Sequence, residues 1–291
     1  MAPSNTFLAA GAALSFAASV AASNVVAFDF IKTRVNARDI PHLDARYPHL
    51  ARRANTVQAD ITNELLLYLI NVTVGTPPQP ISLQLDTGSS DIWFPAVSAN
   101  ICQEEAVACS LGTYDFSASS TAIDIGPDEF EIQYVDGSSV QGDYILDTLN
   151  IGSTKLTNMT MAAATAASRG VGIMGIGFRA GESIAELTGQ TYPDVINVLK
   201  NEGKTSSLAY SLWLDDVNAN TGSILFGGVD TSKYTGDLIA LPIQNDAQTG
   251  TLTSFTVAWT GLTSTGSGKT VTYTSSNAAV PAILDSGTTD M

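Results

Sequence analysis

Histidine, cysteine and positive charge are all scarce in this 291-residue chain. Its two histidines, His42 and His49, fall within the first 53 residues. If that stretch is removed, no imidazole remains for a Ser-His-Asp or Cys-His site or for a His-ligated metal. Thirteen basic residues stand against twenty-eight acidic ones, a formal charge of −15. No block of Lys or Arg offers a stripe for phosphates, which excludes nucleic acid as a partner and disfavours anionic membrane surfaces. Only 14% of residues are charged, there is no heptad pattern, and no apolar run is long enough to span a bilayer comfortably.

The chain is rich instead in 28 Ser, 32 Thr, 24 Gly and 11 Pro, a profile of many short strands and turns rather than a helical bundle. From residue 65 onward, period-2 or continuous apolar character predicts strands over Leu65–Val74, Ile81–Leu85, Phe130–Tyr134, Val140–Ile151, Ser223–Phe226 and Phe255–Trp259. The clearest helix runs from Tyr192 to Gly203. Pro193 is expected to open it, Gly203 to cap it, and Val195, Ile196, Val198 and Leu199 to share one face.

Charge divides the chain unevenly. Residues 1–53 carry six basic and three acidic residues, and the remainder carries seven against twenty-five. Residues 7–22 are an Ala-rich apolar run ending in small residues, which predicts a signal peptide over 1–22; a buried N-terminal helix is the alternative. The basic stretch 23–53 ends at Arg52-Arg53, a dibasic pair, and is expected to be a propeptide; a solvated surface pair is the plainer reading. Cys102 and Cys109, the only cysteines, are expected to close a small disulfide loop, with two buried thiols as the alternative. The sequons at Asn71 and Asn158 permit glycosylation.

One short signature occurs twice. Leu85-Asp86-Thr87-Gly88-Ser89-Ser90 and Leu284-Asp285-Ser286-Gly287-Thr288-Thr289 share an apolar residue, Asp, Ser or Thr, Gly and two hydroxyl residues. At this composition even one chance match has a frequency on the order of 0.01. In each copy an apolar strand delivers an aspartate to a sheet end, glycine permits a sharp turn with N–H groups aimed at the carboxylate, and the hydroxyls orient it. If the two turns face each other, the carboxyls cannot both ionise. They share a proton, and one serves as base while the other serves as acid toward a water attacking a peptide carbonyl. No metal, histidine or cofactor is needed.

These motifs resemble those of the pepsin-like aspartic proteases, most of all the secreted fungal members, over about residues 65–289. Asp86 through Trp93 is a full version of that family's first active-site motif, and Ala282 through Thr289 is similar to its second. The resemblance implies an all-β, bilobal fold with Asp86 and Asp285 as the catalytic pair. It implies Ser89 and Thr288 as their hydroxyl neighbours, and Thr87 and Ser286 as the residues locking the two loops together. It also implies a substrate-closing flap over 132–139, in which Tyr134 is the flap tyrosine, supported by Trp93, and Asp136-Gly137 the turn. Gly88, Tyr134, Asp136, Gly137, Gly287 and Thr288 would then contact substrate. Asp136-Gly137 is independently a good hairpin turn, whereas Tyr134 and Trp93 read as ordinary core without the motifs.

Gly170 through Gly175 also matches the dinucleotide fingerprint GxGxxG. That rival needs a helix to begin there, yet Gly177 and Gly181 follow and no helical apolar face appears. The resemblance instead makes Ile173-Met174-Gly175 the segment that completes the first catalytic loop, eighty-nine positions after Asp86. Only six residues follow Asp285. By the repeat logic the second half is expected to lack its closing segment, roughly 80 to 100 residues. The expected organisation is therefore a complete N-terminal lobe over 54–235 and an incomplete C-terminal lobe over 236–291.

The expected function is a secreted, acid-acting aspartic endopeptidase that takes extended peptide or protein substrate and acts as a monomer, with its own propeptide as inhibitor. The vacuole and cell wall are alternative destinations. The contrasting expectation is a catalytically incompetent truncated homologue that retains peptide binding as an interaction protein.

Overall fold

The computed structural model describes residues 25–36, 64–104, 108–216, 221–266, 268–274 and 279–288. Ten strands form one sheet: β1 Val26–Asn36, β2 Glu64–Val74, β3 Gln79–Asp86, β4 Ile92–Pro95, β5 Ile123–Gln133, β6 Ser139–Ile151, β7 Thr154–Ala167, β8 Ile173–Gly175, β9 Tyr210–Trp213 and β10 Thr221–Phe226. Their order is β5-β6-β7-β4-β8-β3-β2-β1-β10-β9, and an extra β6–β2 pairing folds the sheet back on itself. All-β architecture thus follows from the short apolar runs and the turns between them. The predicted strands agree with β2, β3, β5, β6 and β10 to within a few residues at most ends, although β5 begins at Ile123 rather than Phe130.

Two strands carry the site. In β3, alternation sends Leu83 and Leu85 fully into the core and turns Gln84 and Asp86 to the opposite face. β8 lies parallel to β3, pairing Leu85 with Met174 and Asp86 with Gly175, and antiparallel to β4. The GxGxxG stretch therefore ends in a strand, and no helix begins there. The Ile176 N–H donates to the Asp86 carbonyl at 2.9 Å and the Gly177 N–H to that of Ser89 at 2.9 Å, which closes the first aspartate loop.

Among the described residues, short helices cover the edges: α1 Asn100–Glu104, α2 Ser183–Thr188 and α3 Val195–Asn201. In α3 the four expected apolar residues are buried, but the opening differs from expectation. Pro193 stands outside the helix, and the carboxylate of Asp194 caps it by accepting from the Asn197 N–H at 2.8 Å. A carboxylate here satisfies an orphan N–H, which proline cannot do. Cys102 and Cys109 form a disulfide with Cα atoms 5.4 Å apart.

The stretch expected to be a removable leader contributes β1 to the middle of the sheet. Six register pairs join it to β10 and six to β2. Phe30 is buried against Tyr68, and Phe28 packs on Phe226. The remainder of that leader, 1–24 and 37–53, lies outside the described residues.

Beyond residue 235 the described chain forms two small sheets, β11 Thr256–Trp259 with β14 Val280–Ile283, and β12 Thr263–Gly266 with β13 Lys269–Thr272. Their side chains are largely exposed. Phe255 ties this part to the first, with its ring 4.6 Å from that of Phe178 and 5.9 Å from that of Tyr210. Among the described residues no helix is long and apolar enough to cross a membrane.

Candidate active site

Asp86 ends β3, and Asp285 follows directly on β14 and Leu284, so each aspartate leaves a strand into a turn. The two turns have matching bonds. The Gly88 N–H donates to Asp86 Oδ1 at 2.7 Å and the Ser89 hydroxyl to Oδ2 at 2.5 Å. The Gly287 N–H donates to Asp285 Oδ1 at 2.7 Å and the Thr288 hydroxyl to Oδ2 at 2.5 Å. Each carboxyl is thereby fixed by one backbone and one hydroxyl donor, as expected from the residue types alone.

The turns face each other. The Thr87 hydroxyl donates to the Leu284 carbonyl at 2.8 Å and accepts from the Ser286 N–H at 2.9 Å. Reciprocally, the Ser286 hydroxyl donates to the Leu85 carbonyl at 2.9 Å and accepts from the Thr87 N–H at 3.1 Å. These four bonds pin two segments about 200 residues apart and bring each aspartate's carboxyl up against the glycine of the other loop. The glycines make that approach possible. A Cβ at Gly88 would lie 2.6 Å from Asp285 Cγ, and one at Gly287 would lie 2.4 Å from Asp86 Oδ1.

The environments of the two carboxyls differ. Asp86 is buried and Asp285 half-buried. Burial, opposed by the Ser89 hydroxyl and reinforced by the neighbouring Asp285, pushes the Asp86 carboxyl up to about 6. Burial and the neighbouring carboxyl thus favour the protonated form of Asp86 above the usual carboxylate range.

Over this pair lies the β5–β6 hairpin. Tyr134 through Ser138 form its loop, with the Tyr134 N–H donating to the Ser138 carbonyl at 2.8 Å. Asp136 accepts from the N–H and hydroxyl of Ser138, and Gly137 adopts a φ of +83° that the turn requires. The fully buried Trp93 donates its indole N–H to the Tyr134 hydroxyl at 2.7 Å. This bond ties Tyr134 to the strand that follows the first aspartate loop, and burial raises its hydroxyl, opposed by Trp93 and reinforced by Asp86.

Beneath the first loop, Asp91 accepts from the Tyr192 hydroxyl at 2.6 Å and the Ser183 N–H at 2.8 Å, with Tyr144 at 3.4 Å. Its carboxyl is raised by burial despite these donors. Ser90 donates to the Phe178 carbonyl at 2.7 Å. A cavity of about 850 Å³, largely apolar, opens on the other side of Asp285 between Tyr210, Leu212, Phe255 and Leu284. Among the described residues no cluster of three or more His, Cys, Asp or Glu side chains could hold a metal ion.

Two residues at the site carry no motif signal. Gln84 sits two positions before Asp86 on the same face of β3, where a polar residue inside an apolar strand was the only hint. Arg169 reaches it from the segment before β8, eighty-five positions away, a contact no sequence pattern announces.

Known proteins similar to this chain share one family. The family model described as eukaryotic aspartyl protease matches residues 67–291. The chain is 42% identical over 244 residues to a protein of Arthroderma benhamiae named probable aspartic-type endopeptidase OPSB, an alignment covering 82% of this chain and 48% of the other. It is 37% identical over 251 residues to secreted aspartic protease 8 of Candida albicans, covering 82% and 56%. The crystal structure of an aspartic proteinase from Irpex lacteus matches the fold with a TM-score of 0.60 at 24% identity, over 77% of this chain and 60% of that one. The chain spans about half the length of the curated relatives it matches.

Proposed function

The chain belongs to the eukaryotic aspartyl protease family, and on that premise we propose that the protein is an endopeptidase in which Asp86 and Asp285 activate a water between them. The observation that carries this reading is the contact of the two carboxyls, matched in their hydrogen bonds and unequal in burial. Asp285 accepts a proton from the water as its oxygen bonds to the substrate carbonyl carbon. Asp86 gives its proton to the carbonyl oxygen, and a gem-diol results. As the C–N bond breaks, Asp285 returns its proton to the departing amine nitrogen and a diol hydroxyl re-protonates Asp86. Both carboxyls end as they began. Extended substrate lies under the flap, held by backbone hydrogen bonds, with Tyr134, Asp136, Gly137, Gly88, Gly287 and Thr288 around it.

Cleavage of a denatured protein is expected to rise as pH falls through about 6, where the pair takes up its proton. A flat rate between pH 3 and 7 would contradict the mechanism. Binding of a statine-type peptide without turnover would favour the interaction-protein reading instead. Gly287→Ala puts a methyl group against Asp86, so kcat/KM is expected to fall by about 100-fold, with a lower melting temperature from the overpacking. Wild-type kinetics in that variant would mean that the close approach is not needed.

We further propose residues 1–22 as signal peptide and 23–53 as propeptide, with the extracellular space as destination, in keeping with the relative named as secreted. Such a propeptide would be held by the strand pairing of β1, which protonation of carboxylates does not undo. Release by charge alone would therefore be insufficient, because removing β1 opens two strand edges in the sheet.

A further inference from the structure

The Gln84 amide is buried and used at both ends. Its Nε2 donates to the Gly287 carbonyl at 2.7 Å, and its Oε1 accepts from an Nη of Arg169. Gln84 is in turn fixed in β3, where its backbone N–H donates to the Gly172 carbonyl at 2.9 Å. The amide has a single workable orientation. Turned by 180°, its NH2 would meet a guanidinium and its carbonyl would meet another carbonyl, losing two bonds and adding two repulsions. Arg169 thus makes Gln84 a donor, and Gln84 holds the backbone of the loop that positions Asp285.

Among the described residues, the side chains of Gln84 and Thr87 bond to that loop from the first half. A Cβ at Gly287 would lie against the Asp86 carboxyl, and the Gly287 N–H orients the Asp285 carboxyl. The Thr87–Ser286 bonds fix the loops one residue earlier, at their bases. Gln84 fixes the tip. Tyr134 and Asp136 of the hairpin and Asp86 are the titratable groups that act on the guanidinium.

We propose that Arg169 and Gln84 are positioning residues that clamp the Asp285 loop at Gly287 and so set the spacing of the two carboxyls. This rests on the protease reading above. Arg169→Met and Gln84→Leu are each expected to lower kcat about tenfold with KM within about twofold, since one buried bond at the loop tip is lost. Amide hydrogen exchange over residues 284–288 is expected to quicken by a similar factor, whereas Arg169→Lys, still a donor, restores both values to near wild type. Wild-type kcat and exchange in both loss variants would overturn the clamp, as would a rise in KM at constant kcat. Failure of the protease reading looks different: the wild-type protein would show no turnover, and the exchange comparison would still decide for or against the clamp.

Discussion

Asp86→Asn is expected to lower kcat/KM for peptide hydrolysis by at least about 1,000-fold while the protein stays folded. The amide is nearly isosteric with the acid, and its oxygen can still accept from the Gly88 N–H. What it removes is the proton that Asp86 retains up to about pH 6. Without that proton the carbonyl oxygen gains negative charge with no acid beside it. The adjacent Thr87–Ser286 bonds do not involve the carboxyl, so the loops remain joined. Kinetics on a fluorogenic peptide near pH 4, with melting temperature measured in parallel, checks both halves. Activity within tenfold of wild type would remove Asp86 from the chemistry.

The second large effect is on stability and comes from Glu182, a buried acid outside the proposed reaction. Its Oε2 accepts from the Tyr192 N–H at 2.9 Å, while its Oε1 is buried without a partner. Burial pushes this carboxyl up to about 8. The Tyr192 N–H and Arg179 oppose the rise, and Asp91 and Asp194 add to it. The folded protein therefore keeps a proton that the unfolded chain releases near pH 4.3, so the full contribution to stability is present below that pH and is lost as pH rises toward 8. The slope is up to about 1.4 kcal/mol per pH unit. Asp86 and Asp91 shift in the same direction and steepen the fall. Melting temperature is thus expected to drop between pH 5 and 8. Glu182→Gln keeps an acceptor for Tyr192 but cannot ionise, so its curve should be flatter and cross above wild type at the alkaline end. Two parallel curves would show that Glu182 is not the titrating group.

Local chemistry that repeats is legible in the sequence, and placement that depends on distant contact is not. Asp86 and Asp285 were legible because each stands in a six-residue pattern whose parts have physical reasons, and Thr87 and Ser286 came with them. The Asp136-Gly137 turn was legible from its dipeptide. The strand character of β1 was not, although Phe28 and Phe30 alternate with Asp29. Its place in the sheet depends on pairing with Leu65–Leu69 and with Gly222–Phe226, which local pattern does not reveal. Gln84 and Arg169 escaped for the same reason. The start of α3 was misplaced because proline at the first turn and a carboxylate cap compete as signals, and Asp194 supplies the bond.

The sharing of a proton by Asp86 and Asp285 is tested most directly by following the Asp86 carboxyl carbon by ¹³C NMR across pH 2–8, in wild type and in Asp285→Asn. Asp86 is expected to titrate near 6 in wild type and lower in the variant, where the neighbouring carboxyl has gone but the burial remains. A titration near the ordinary aspartate value of about 4, unchanged by the substitution, would contradict it.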